Sequence, residues 1–371
     1  MPTIPTEFFL GGFESASHRR NDGVRLDMIR ATAHDRWALR DYEHCARLGL
    51  STLRDGVRWH LIAQRAGHYD WSSWIPMLEA AEQAGVRIIW TLHHYGAPDH
   101  ADFGSPMYVD AFARFAAAAI RLHREVTGKP ALVCPVNEIS FFAWAVGVGY
   151  FPMPREITAA FAKRQLVRAG LAAVHAMRDV DHECRVVWSE PLIHVAPRND
   201  APDERQRAES YRLAQYEVYD LLTGRQEPEM GGTPDMVDVI GLNYYPHNQW
   251  YFDGPTVPLG HHAYRPLADM LMETSARYDR PVWIAETGAE GSARPAWLHY
   301  VSDEVQEAMA RGVSVEGVCL YPLTHYPGWD NGRPVSTGLF SEASDTGDRR
   351  LHAPLLRELE RQRLQLAVLP V

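Results

Sequence analysis

Two glutamates close short apolar runs. Ala131-Leu132-Val133-Cys134-Pro135-Val136 ends in Asn137-Glu138, and Pro281-Val282-Trp283-Ile284-Ala285 ends in Glu286-Thr287-Gly288. A carboxylate that follows a buried strand makes poor packing material, because an unpaired buried charge is costly. It belongs at a mouth or a cleft. Two carboxyl groups facing each other can divide acid/base and nucleophilic work between them. Cleaving a glycosidic bond with retention needs such a pair about 5–5.5 Å apart, one protonated and one ionised. Arg54, near the end of an earlier apolar run, is placed to hold Glu286 as the anion. The amide of Asn137 is placed to donate to a sugar 2-hydroxyl.

The elements that must position these groups follow a repeating pattern of apolar strand, polar loop and amphipathic helix. Strands are expected at 8–12, 52–57, 87–92, 132–136, 185–189, 237–242, 282–285 and 315–320. Helices are expected at 35–48, 75–84, 108–127, 157–180, 205–222, 267–278, 295–310 and 354–366. Gly49, Gly85 and Gly128 stop the first three, with Pro130 just beyond the third. Eight strands alternating with eight helices predict a closed (β/α)8 barrel, read as a single domain over 1–371. An open doubly wound sheet is disfavoured, since no Gly-x-Gly-x-x-Gly turn follows an early strand. Longer loops at 191–203, 245–262 and 324–351 all follow strands, so they crowd the C-terminal mouth.

Composition excludes other classes. The chain has 371 residues, 46% hydrophobic, with a formal net charge of -10, which argues against nucleic acid or an anionic membrane surface as partner. No apolar run approaches the ~20 residues of a membrane span. The N-terminal stretch carries no basic region followed by an apolar core, so no secretion signal is expected. Cys45, Cys134, Cys184 and Cys319 are far apart and read as reduced thiols of a cytoplasmic protein. His93 and His94 point to opposite faces of one strand, which disfavours a shared metal ion. Glu190 ends a strand as well and reads as a decoy or a substrate-binding carboxylate. The pairs Arg19-Arg20 and Arg349-Arg350 read as solvated surface charge.

The chain resembles the family 1 glycoside hydrolases, or a close relative in the same barrel clan. Asn137-Glu138 resembles that family's acid/base signature, and Ile284-Ala285-Glu286-Thr287-Gly288 its nucleophile signature. Asp238-Val239-Ile240-Gly241-Leu242-Asn243-Tyr244-Tyr245 is similar to the sixth-strand motif, and Thr91-Leu92-His93-His94-Tyr95-Gly96-Ala97-Pro98 to the third-strand motif. Leu53-Arg54 through Trp59 resembles the segment bearing the arginine beside the nucleophile. The motifs fall in order along nearly the whole chain.

The resemblance implies a retaining β-glycosidase that needs no cofactor and no metal and takes a carbohydrate or glycoside as substrate. It implies Glu138 as acid/base and Glu286 as nucleophile, with Arg54, Asn243 and Tyr245 supporting the nucleophile. His94 and Asn137 are implied to hold sugar hydroxyls, with Tyr95 beside them. Tyr321 and Trp329 take the places of two sugar-platform tryptophans. The family's bidentate glutamate is replaced by Gly328, leaving Asp330 as the candidate substitute. The N-terminal glutamine is missing, and Glu14, His18 or Arg19 stands near its place. Two other readings share these residues: a transglycosidase using the same carboxylates, and a non-catalytic carbohydrate-binding barrel. The sequence carries no signal for the sugar, the aglycone or the oligomeric state.

Overall fold

Eight parallel strands close into a barrel in the computed structural model, which describes residues 7–153 and 156–367. Of the N-terminal stretch 1–7, where no secretion signal is expected, residues 1–6 lie outside the described residues. The strands are β1 (Phe9–Gly12), β2 (Thr52–Gly56), β3 (Arg87–His93), β4 (Leu132–Val136), β5 (Arg185–Pro191), β6 (Val239–Asn243), β7 (Val282–Thr287) and β8 (Val315–Leu320). Each pairs with its chain neighbour, and β1 pairs with β8 to complete the closure. Helices cover the outside, so the strands are buried on both faces and read as nearly unbroken apolar runs.

The barrel interior is a separate small core of Leu10, Ile89, Leu132, Cys134, Val187, Val239, Trp283, Ala285 and Cys319. These come from alternate positions of their strands, as the pleat requires. The larger core lies between strands and helices. Helix Pro106–Thr127 shows how its sequence dictates a helix. Ser105 Oγ accepts the Met107 N–H, Pro106 occupies the first turn, and Gly128 ends the helix at φ 67°. Its buried face is Tyr108, Phe112, Phe115, Ala116, Ala119, Ile120 and His123, a 3.6-residue stripe.

The expected strands and helices match the observed ones to within a few residues, and the short helices Met28–Ala31 and Trp59–Ile62 come in addition, with further differences in three places. The segment expected as one helix at 205–222 is split into Pro202–Leu213 and Glu217–Leu222 by a tight turn at Ala214–Tyr216. Helix Ile139–Gly147, directly after β4, was not among the expected elements. It is apolar on nearly every side, so it has no amphipathic period to read. The long loops are partly ordered as ribbons: His194–Ala196 pairs with Gln249–Tyr251, and Tyr326–Pro327 with Pro334–Val335.

All four cysteines are free and buried. Among the described residues no helix is long and apolar enough to cross a membrane.

The reading of Arg349-Arg350 as surface charge is corrected in part. Arg350 is exposed, but the Arg349 side chain is fully buried and forks onto Asp41 at 2.7 and 3.0 Å. His34 bridges Asp41 (2.7 Å) and Asp55 (2.8 Å), and Tyr42 donates to Asp55 at 2.6 Å. Burial alone pushes the His34 imidazolium down, but the two aspartates outweigh it and raise its pKa to about 9. This network ties the last long loop to the back of β2, where Asp55 follows Arg54. Replacing Arg349 by alanine takes from the buried Asp41 one of its two cationic partners and is expected to cost about 3–5 kcal/mol in urea unfolding. A loss within the ~1 kcal/mol range of an exposed pair would contradict this role.

Candidate active site

Because every barrel strand runs the same way, all the C-terminal ends open on one face. A cavity of about 1230 Å³ lies there. Its wall includes Glu138, beyond β4, and Glu286, near the end of β7.

Glu286 is held from two sides. Arg54 Nη1 donates to Oε1 at 2.6 Å, and the Tyr245 hydroxyl donates to Oε2 at 2.8 Å. Arg54 is 1% exposed and also donates to Thr91 Oγ1 (3.2 Å), Ser189 Oγ (3.3 Å) and the Asn137 side-chain oxygen. Its guanidinium lies 5.5 Å from the centre of the Tyr321 ring. With so many acceptors its charge is locked in place. The way Glu286 reaches the cavity is local geometry. Trp283 and Ala285 face the interior core, while Val282 and Ile284 face the helices. Strict alternation would send residue 286 outward. A register shift intervenes: Leu242 pairs with Ile284, but Asn243 pairs with Glu286. Such an irregularity re-aims a side chain.

Glu138 has a different environment. The Tyr95 hydroxyl donates to Oε2 at 2.5 Å and Asn243 Nδ2 donates to Oε1 at 2.9 Å, and among the described residues no cation pairs with it. Burial first, and the charge of Glu286 second, push its pKa up to about 8, against the pull of those two donors. Glu138 sits at φ 42°, in the left-handed region, at the start of helix Ile139–Gly147. Its N–H donates to the Ser189 carbonyl at 2.8 Å. Glu190 then accepts the next two N–H groups, Ile139 at 2.5 Å and Ser140 at 3.0 Å. Glu190 is thus the clamp on the turn that aims Glu138, and it is not on the cavity wall. Of its two sequence readings, substrate contact is not what the geometry shows.

His94, Tyr95, Tyr245, Tyr321, Trp329 and Asp330 all line the cavity. Asn137 lies behind them. Its Nδ2 contacts the Tyr95 hydroxyl at 2.9 Å and His94 Nε2 at 3.2 Å, so its amide serves the protein rather than standing open to a ligand. His94 Nδ1 meets Ser15 Oγ at 2.8 Å, and burial together with Arg54 keeps the ring neutral. His93 points the other way, to the Tyr108 hydroxyl at 2.8 Å. The Tyr321 ring is seated against β1: a Cβ at Gly12 would lie 2.4 Å from Tyr321 Cδ2. Trp329 stands near Tyr95, with ring centres 5.9 Å apart. Asp330 is exposed at the rim and takes a hydrogen bond from the Tyr150 hydroxyl at 2.6 Å.

Three candidates near the chain start separate. Glu14 is buried on the cavity wall with its pKa raised to about 7, chiefly by burial. His18 is off the wall, packed on Phe151 (4.3 Å) and edge-on to Trp329 (4.9 Å), and burial keeps it neutral. Arg19 is at the surface, paired with Asp99 at 2.6 Å. Asn243 also differs from its expected place. It donates to Glu138, not to Glu286, and is itself oriented by Ser189 Oγ at 2.7 Å. The supporting roles of Ser189 and Glu190 had no signal beyond their position at a strand end.

No protein-family model matches the sequence, and no curated protein does. Solved structures do match in fold. A family 1 β-glucosidase from Thermotoga maritima superposes with a TM-score of 0.77 at 16% identity, over 97% of this chain and 98% of that one. That protein has also been solved with isofagomine lactam and with deoxynojirimycin. A hyperthermophilic β-glucosidase mutant gives 0.75 at 17% identity, over 96% of this chain and 100% of that one. The AHE enzyme from Alicyclobacillus herbarius gives 0.76 at 16% identity, over 100% of this chain and 99% of that one. This chain is therefore built on the (β/α)8 barrel that the family 1 β-glucosidases also use.

Proposed function

We propose that the chain is a retaining β-glycosidase acting by double displacement, with Glu286 as nucleophile and Glu138 as acid/base. The observation that carries this reading is the unequal treatment of two carboxyl groups that line one cavity. Glu286 is paired with a buried guanidinium, while Glu138 has no cation among the described residues and its pKa is raised to about 8. Near pH 7 Glu138 is thereby kept as an acid, while Glu286 stays bound to Arg54.

Glu286 attacks the anomeric carbon while Glu138 gives its proton to the leaving oxygen. Forming the glycosyl ester removes the negative charge of Glu286. Part of what raised the Glu138 pKa disappears with it, and Glu138 becomes the base that takes a proton from water. Tyr245 bonds the carboxyl oxygen that the ester leaves free, and Asn243 and Tyr95 keep Glu138 aimed. The neutral His94 and the buried Glu14 meet the sugar hydroxyls, and Tyr321 and Trp329 give it apolar faces. With Gly328 and Asp330 at the rim, recognition on that side differs from the family pattern, so the sugar is not inherited from it. A cytoplasmic setting and a single-domain chain belong to the same proposal.

The stereochemistry tests it. Proton NMR during early turnover of a nitrophenyl β-glycoside is expected to show the β-anomer of the free sugar first, followed by mutarotation. The α-anomer appearing first would rule out the double displacement.

A further inference from the structure

The cavity has two unlike walls, and we infer from them that the leaving group is a bulky apolar alcohol or phenol rather than a second sugar. This rests on the glycosidase reading only for which wall the leaving group meets. The acid must face the leaving oxygen, so the wall continuous with Glu138 receives whatever that oxygen carries.

The helix that starts at Glu138 places Phe141 and Trp144 three residues apart on the face that lines the cavity, with ring centres 5.6 Å apart. Ile193 and Ala214, which follow β5, continue this wall. Tyr211 and Trp250 extend it, edge to face at 6.2 Å. Trp144 is 47% exposed and Tyr211 44% exposed, which leaves large apolar side chains open to water at the rim. The rest of the cavity lining, from the ends of β1, β3, β7 and β8, carries Glu14, His94, Glu286 and Asp330.

A second sugar would bring several hydroxyl groups to the apolar wall, and each would need a partner there. Ser140 Oγ is the buried hydroxyl there without a partner among the described residues, and three longer polar side chains are already engaged. Lys163 Nζ is bound to Glu217 at 2.5 Å. Gln215 accepts from the Ile193 N–H at 2.9 Å and donates to the Arg212 carbonyl at 2.7 Å. Asn248 donates to the Leu192 and Asn243 carbonyls at 2.9 and 3.0 Å. An aryl or long alkyl group asks for no such partners and covers the exposed rings.

The test uses alkyl β-glucosides and β-galactosides from butyl to octyl. Their alcohols are equally poor leaving groups, so reactivity stays constant while buried area grows. The expected result is a rise in kcat/KM of about threefold per added methylene. Octyl should exceed cellobiose or lactose, the disaccharide with the same glycone. Trp144→Ala and, on another element, Tyr211→Ala should each flatten the slope, with circular dichroism confirming the fold. Calorimetric titration with the matching alkyl β-thioglycosides reads binding without turnover. Hydrolysis with a flat chain-length series, or with the disaccharide preferred, overturns this inference and leaves the glycosidase reading standing. Chain-length-dependent thioglycoside binding with no turnover of any glycoside keeps the apolar cleft and overturns the glycosidase reading. Neither turnover nor a slope overturns both.

Discussion

With alanine in place of Glu286, turnover of an aryl β-glycoside is expected to fall by roughly 10⁴-fold or more. Azide should restore part of it, and the product should be the α-glycosyl azide. The side chain removed is the group that forms the covalent bond, so nothing left in the pocket takes over its step. Alanine opens a space beside Arg54 and Tyr245, which otherwise bind the carboxylate at 2.6 and 2.8 Å. A small anion fits there and attacks from the side Glu286 used. One displacement replaces two, which inverts the anomeric centre. The same change leaves Arg54 buried without its main counter-charge, at a cost of about 3–5 kcal/mol, so folding has to be checked by circular dichroism. Glu286→Gln keeps the shape and a hydrogen-bonding group and serves as the second variant. Activity of a folded variant within about tenfold of wild type would remove Glu286 from the chemistry.

Glu138→Ala should behave differently, and the contrast identifies the acid/base. Glycosides with poor leaving groups are expected to lose about 10²–10⁴-fold in kcat/KM, the usual worth of a positioned proton donor. Activated nitrophenyl glycosides need little help in leaving, so they should show a fast burst followed by slow turnover. Azide should speed the second phase and give the β-glycosyl azide, because the covalent intermediate still forms and two inversions retain the anomer. The pH profile carries the same assignment. A proton donor with its pKa raised to about 8 keeps its proton through neutral pH and loses it above. Wild-type kcat/KM is therefore expected to fall tenfold per pH unit beyond about 8, and Glu138→Gln should lack that limb. An unchanged alkaline limb in Glu138→Gln would assign it to another group. Glu14 and Glu190, both raised to about 7 by burial, are the groups to examine then.

The chain alone determined the barrel and pointed to Glu138 and Glu286, which the fold brings to one cavity. Buried parallel strands must be apolar on both faces, and helices on their outside must carry a 3.6-residue stripe, so both leave a pattern in sequence. Glu138, Glu286 and Arg54 were legible because a charge ending an apolar strand has few structural uses. The apolar helix Ile139–Gly147 left no period, and its Phe141 and Trp144 only became a wall once folded.

Which group each side chain serves was decided by tertiary structure. Asn243 turns to Glu138 because Ser189, on the neighbouring strand, orients its amide. His18 backs Trp329 instead of facing the cavity, and Arg349 is buried against Asp41 from more than three hundred residues away. Glu286 faces inward because the β6–β7 pairing slips by one residue, and Glu138 is aimed by a left-handed turn clamped through Glu190. A period of two along a strand says which residues alternate. Where that alternation breaks depends on hydrogen bonds between strands far apart in the chain, so only the closed barrel sets it.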